Sequence, residues 1–221
     1  MCAKKEVRVI SDDQNSNECL KQLNQEMALL SELSHPNIVQ YYGSKLGVDN
    51  LPVYLEFVSG GSIHKLLSEY GPFSEPLIQN YTKQILSGLA YLHGRKAMHR
   101  DIKGANILVG PNREIMPADF GMARHEVLTG WHQSLAVDIW SLGCTILEMA
   151  TSKPPWSQYE GVAAILKIAE SKNYPEIPSH QSEDAQSFVK LCLLRDPSIR
   201  PPASQLLHHT FIENLKDRKN C

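Results

Sequence analysis

The chain has 221 residues, with 22 Lys and Arg against 24 Asp and Glu for a formal net charge of −2, and it is long enough to bury a sizeable core as one large domain or two small lobes. Apolar residues make up 42% and charged residues 21% of it, as in an ordinary globular protein, without the basic surplus of a nucleic-acid binder or a polybasic membrane patch. The five cysteines (Cys2, Cys19, Cys144, Cys192 and Cys221) are odd in number and scattered, with no C-x-x-C pair and no histidine at zinc-ligand spacing, so they read as reduced thiols and a disulfide-stapled fold is excluded.

The opening Met1 to Glu6 has no apolar run of the kind a secretory signal needs. Val7-Arg8-Val9-Ile10 alternates like a half-buried strand, and Leu20, Leu23, Met27 and Leu30 recur at helical spacing. Pro36-Asn37 ends that helix, after which Ile38 to Tyr42 and Val53 to Phe57 read as strands flanking a turn at Gly47 to Asn50. Ser59-Gly60-Gly61-Ser62 reads as a glycine hinge, and the chain beyond it is mostly helical. Ser74 opens a helix whose apolar positions Ile78, Tyr81, Ile85, Leu89 and Leu92 step by three or four. The most apolar stretch, Leu135 to Ala150, carries Asp138 and Glu148 and falls short of the roughly 20 residues of a membrane span. It reads as a buried helix that Pro154-Pro155 stops. A further helix starts near Ser182, with Glu183 and Asp184 placed favourably for its dipole. The expected fold is α+β: a mixed lobe over residues 1–57, a helical lobe over 58–215 and a short tail at 216–221.

The most informative stretch is His99-Arg100-Asp101-Ile102-Lys103-Gly104-Ala105-Asn106, which fits H-R-D-x-x-x-x-N and is followed by Asp119-Phe120-Gly121. Phosphoryl transfer needs little covalent help from a protein; it needs a carboxylate to orient the hydroxyl nucleophile, metal ligands, and a cation against the developing charge. Asp101 suits the first role, Asn106 and Asp119 would hold Mg²⁺, and Lys103 would lie beside the transferred group. A lone D-F-G is weak, since Asp and Gly mark turns anywhere. The ordered set, H-R-D-x4-N, then D-F-G, then Asp138-Ile139-Trp140-Ser141-Leu142-Gly143 on an apolar helix, is far more specific.

Over nearly its whole length the chain resembles a eukaryotic protein kinase catalytic domain. The H-R-D-I-K-G-A-N form resembles the Ser/Thr branch, and particularly the MAP kinase kinase kinases. Leu23 to Gly43, Tyr54 to Leu67 and Asp138 to Ala150 are similar to the plant, YODA-like members. The resemblance implies a two-lobed kinase-like fold, with ATP and Mg²⁺ as cofactors and transfer of the γ-phosphate to a protein substrate, a MAP kinase kinase. It further implies a cytoplasmic monomer that binds neither nucleic acid nor membrane. Cys2-Ala3-Lys4-Lys5 resembles the strand motif V-A-I-K. Lys5 would then contact the nucleotide phosphates and pair with Glu26, and Ala3 would line the adenine site. On the residues alone, Lys5 and Glu26 read equally as solvated surface charges. Glu56-Phe57-Val58 resembles the segment between the lobes that meets the adenine edge, with Leu55 beside the pocket. His99 reads as packing support beneath the loop, and Asp138 and Arg200 as structural charges.

Three departures qualify the resemblance. The sequence opens on the lysine strand and has no G-x-G, so a fold without the glycine-rich phosphate lid and with a truncated sheet is expected. Only Met122-Ala123-Arg124-His125 separates Gly121 from Glu126, where the family has an activation segment ending in A-P-E. Met116-Pro117-Ala118 stands where the family has a strand, and a proline there removes a ladder hydrogen bond. Two functions follow as expectations. One is a MAP kinase kinase kinase with impaired catalysis. The other is a non-catalytic pseudokinase or truncated paralogue serving as a protein-interaction module.

Overall fold

β1 (Cys2–Arg8) pairs antiparallel with β3 (Asn50–Glu56). β3 pairs on its other side with β2 (Tyr41–Ser44), giving a sheet of order β1-β3-β2. The computed structural model describes residues 1–8, 27–45, 50–118, 124–125, 131–159 and 175–214. The strand expected over Val7 to Ile10 therefore starts at Cys2 instead, and Val9 and Ile10 lie outside the described residues. Register sets Ala3 opposite Leu55 and Lys5 opposite Val53, so these four share one face, while Lys4 and Glu6 form an ion pair on the other.

The strand expected from Ile38 begins only at Tyr41. Ile38 and Val39 are both buried, and a one-faced strand cannot bury two successive side chains. The Ile38 N–H instead closes a turn on the His35 carbonyl (3.1 Å), and the Val39 N–H reaches the carbonyl of Pro117 (3.4 Å). Residues 27–32 are helical (α1), and Leu29, Leu30 and Leu33 pack into the same core as the later helices. The core thus crosses the sequence division at Phe57.

The helices beyond follow the apolar periodicity. Ser62 caps α2 (Ile63–Tyr70), its hydroxyl accepting from the Lys65 N–H at 3.2 Å. The long α3 (Glu75–Gly94) starts after Ser74 with Pro76 in its first turn and buries Ile78, Ile85, Leu89 and Leu92. The apolar α4 (Trp131–Thr151) ends before Pro154, with Ser152 in the left-handed region at φ +59°. α5 (Glu183–Cys192) is capped by Ser182, which accepts from the Ala185 N–H at 3.2 Å, and the short α6 (Ala203–Leu206) and α7 (Thr210–Glu213) close the bundle. Leu142, Phe188 and Phe211 lie at its centre. Among the described residues no helix is long and apolar enough to cross a membrane.

Two small antiparallel pairs sit between α3 and α4. β4 (Ala97–Met98) pairs with β7 (Arg124–His125), and β5 (Ile107–Val109) pairs with β6 (Ile115–Pro117). The proline expected to disturb this region is accommodated at the end of β6, opposite Ile107, and the following Ala118 N–H donates to the Asn106 carbonyl at 2.8 Å. The glycine pair read as a hinge is pinned. Gly60 donates to the Val109 carbonyl (3.0 Å) and Val109 donates back to that of Gly61 (2.8 Å). A Cβ on Gly60 would lie 2.3 Å from the Val109 oxygen, so only glycine permits this docking.

Candidate functional site

The start of the stretch from His99 to Asn106 is held from below by Asp138 of α4. Asp138, fully buried, accepts from the His99 N–H (2.9 Å), the Arg100 N–H (2.7 Å) and His93 Nε2 (3.0 Å). Arg100 adopts φ +69°, a conformation costly for a residue with a side chain, and the bond to Asp138 holds it there. The Asp101 N–H donates to His99 Nδ1 at 3.4 Å, which puts the ring proton on Nε2, where it donates to the Ala118 carbonyl at 3.1 Å. His99 is thus the packing support expected of it, with a tautomer set by its neighbours.

Above this base three expected residues converge. Asp101 Oδ2 accepts from Lys103 Nζ (2.9 Å) and from Asn106 Nδ2 (2.6 Å), and Asn106 Nδ2 also reaches the Asp101 carbonyl (3.1 Å). Gly104–Asn106 forms a 3₁₀ turn that leads into β5. With Nδ2 committed to Asp101, Asn106 offers its amide oxygen, a hard donor of the kind Mg²⁺ takes. Asp119, the second expected metal ligand, lies outside the described residues, as does Glu26. Among the described residues no group of three or more His, Cys, Asp or Glu could hold a metal.

The sheet carries the remaining candidates. Ala3, Lys5 and Leu55 share one face through the β1–β3 register. The Glu56 N–H donates to the Gln40 carbonyl at 2.8 Å and its carboxylate accepts from the Gln40 N–H at 3.3 Å, which ties the end of β3 to the segment before β2. Val58 is half-buried just before Gly60.

Arg200, read as a structural charge, donates to the carbonyls of Leu194 and Ala136 and lies over the Trp140 ring at 5.2 Å. The described cysteines, Cys2, Cys144 and Cys192, are free thiols. Burial pushes the Cys144 thiol up to about 12 and Cys192 up as well, so both are protonated and unreactive at neutral pH.

One residue of this region drew no functional reading from the sequence. Glu148, buried on α4, accepts from the Gly104 N–H at 3.1 Å and meets His64 Nδ1 at 3.1 Å. The signal available was one of two acids in an apolar helix, and its partners lie far away in the chain.

The sequence matches the protein kinase domain family in two blocks, residues 1–126 and 125–212, which meet where the activation segment was expected to be missing. It is 65% identical to "Mitogen-activated protein kinase kinase kinase 3" of Arabidopsis thaliana over 97% of the chain and 38% of that protein. It is 57% identical to "Mitogen-activated protein kinase kinase kinase YODA" of the same plant, over 97% of the chain and 27% of that protein. A Dictyostelium discoideum protein, "Mitogen-activated protein kinase kinase kinase A", is 42% identical over 96% of the chain and 25% of its own length. The chain therefore spans well under half of each of these relatives.

Proposed function

The chain belongs to the protein kinase family, and from that premise we propose that it is the catalytic region of a plant Ser/Thr kinase of the MAP kinase kinase kinase type. In this reading it transfers the γ-phosphate of ATP to a hydroxyl of a MAP kinase kinase, as a cytoplasmic monomer. Residues 1–57 form a partial N-lobe, 58–215 the C-lobe and 216–221 a tail. The observation that carries the reading is the Asp101 cluster. Oδ2 is occupied by Lys103 and Asn106, so Oδ1 is the oxygen left to orient an incoming hydroxyl and take its proton. Lys103, held at 2.9 Å from Asp101, sits where it opposes charge building on the transferred group. Asn106 and Asp119 would hold Mg²⁺, which neutralises phosphate charge when bound. Ala3, Leu55, Glu56 and Val58 would line the adenine site, and Lys5 with Glu26 would grip the phosphates.

The two-block family match favours a second reading, in which the same fold serves as a non-catalytic interaction module. Catalysis by positioning is steep: a displacement of about 1 Å can cost roughly 10²-fold, so a missing substrate platform weakens turnover more than nucleotide binding. Phosphotransfer to a protein acceptor by the purified chain, compared with Asp101→Asn, separates the two. The kinase reading expects slow transfer that Asp101→Asn abolishes while ATP binding is kept. Transfer that is indifferent to the substitution removes Asp101 from the mechanism, and none from either protein leaves the interaction module.

A further inference from the structure

α4 touches the catalytic loop at two separate points. Asp138 takes the N–H groups of His99 and Arg100, and Glu148, ten residues further along the same helix, takes the N–H of Gly104 at 3.1 Å. At helical rise the two anchors stand about 15 Å apart, so between them they fix both ends of the loop that carries Asp101 and Lys103. We propose that Glu148 is a positioning residue for this loop, with His64 of α2 holding its carboxylate in place. The proposal rests on the reading of Asp101 and Asn106 given above.

The Glu148 side chain is only 7% exposed, and a carboxylate is costly to bury unless it is hydrogen-bonded. Each of its oxygens has a separate partner: Oε2 the Gly104 N–H, Oε1 the His64 Nδ1 at 3.1 Å. The loop is packed hard against it, since a Cβ on Gly104 would come within 2.8 Å of all three carboxyl atoms. Gly104 opens the 3₁₀ turn that ends at Asn106, and the Asn106 N–H closes the turn on the Lys103 carbonyl at 2.9 Å. A shift at Gly104 is therefore passed to Asn106, and from Asn106 Nδ2 to Asp101 Oδ2 at 2.6 Å. His64 sits at the outer end, its side chain 55% exposed, so the link from α2 can be altered without opening the core.

The test uses the full chain labelled with ¹⁵N, in wild type, Glu148→Ala and His64→Ala. It follows the Asn106 side-chain amide resonance, the Mg²⁺-dependent part of ATP affinity, and the thermal midpoint. Glu148→Ala, which removes both acceptor oxygens, is expected to move the Asn106 resonance and to cut the Mg²⁺-dependent affinity by roughly tenfold or more, as loss of a group that orients a metal ligand does. His64→Ala should act in the same direction, more weakly, with an unchanged midpoint. An unmoved Asn106 resonance and unchanged affinity in folded variants would overturn the proposal. If Glu148→Ala does not fold, His64→Ala decides. If wild type does not bind ATP with Mg²⁺, the nucleotide reading has failed, and the Asn106 resonance alone still decides whether Glu148 positions the loop.

Discussion

Asp138→Ala will lower the stability of the folded chain by about 3–5 kcal/mol, the usual result of removing one member of a buried charge network. Asp138 is 0% exposed and satisfies three donors at once, two of them backbone N–H groups of the loop. Removing it leaves those donors buried, at about 1–3 kcal/mol for each unsatisfied group, and releases Arg100 from its left-handed conformation. Asp138→Asn is no remedy, because one of its two acceptor oxygens becomes an NH₂ facing donors. Against a total stability of about 5–15 kcal/mol either change is severe, and chemical denaturation of both variants measures it. The pH dependence has a definite sign. Burial works to raise the Asp138 pKa, but the bonds from His93 and the His99 N–H outweigh it and hold the carboxyl below its ordinary value. The group therefore stabilises the fold above its unfolded pKa of about 3.9, and that stability is lost as pH falls below this and through the lower folded value. Wild type should lose stability through that acid window more steeply than Asp138→Ala.

Phe188→Ala should cost about 3–5 kcal/mol. Phe188 is fully buried on α5, with its ring 5.3 Å from that of Phe211 and also 5.3 Å from that of His209. Its removal opens a cavity among α5, α7 and the segment between α6 and α7, where close-packed neighbours cannot collapse fully. The size of the loss also reports on the helical part as a folding unit. If the chain unfolds cooperatively and Phe188→Ala lowers the midpoint by the expected amount, the bundle is a true packed core. A non-cooperative wild type, indifferent to this change, would mean that the chain is only a marginally stable fragment.

Legibility in the sequence followed how local the controlling interactions are. The Asp101, Lys103 and Asn106 constellation can be read directly because it lies within six residues, and local hydrogen bonds bring its three side chains together. α3, α4 and α5 are legible for a similar reason: their apolar repeats and caps are contained within each element. The strand bounds were less so. Ile38 and Val39 look like a strand by composition, yet both are buried, Ile38 in the core that α1 shares with the later helices. The Gly60-Gly61 pair looks like a hinge because glycine is permissive, while the structure uses it for close approach to Val109. Pro117 looks like an interruption, but the end of a short strand tolerates it. Glu148 was invisible as a functional group because its partners, His64 and Gly104, lie 84 and 44 positions away.

On the proposed reading, the loop around Asp101 presents a site for ATP with Mg²⁺ although only four residues separate Gly121 from Glu126. Calorimetric titration of the purified chain with ATP, with and without Mg²⁺, beside Asp119→Ala, tests it most directly. Binding that Mg²⁺ strengthens and that Asp119→Ala reduces to the Mg²⁺-free level is the expected result. A folded chain that binds no ATP under either condition, or binds it identically in wild type and Asp119→Ala, would contradict it.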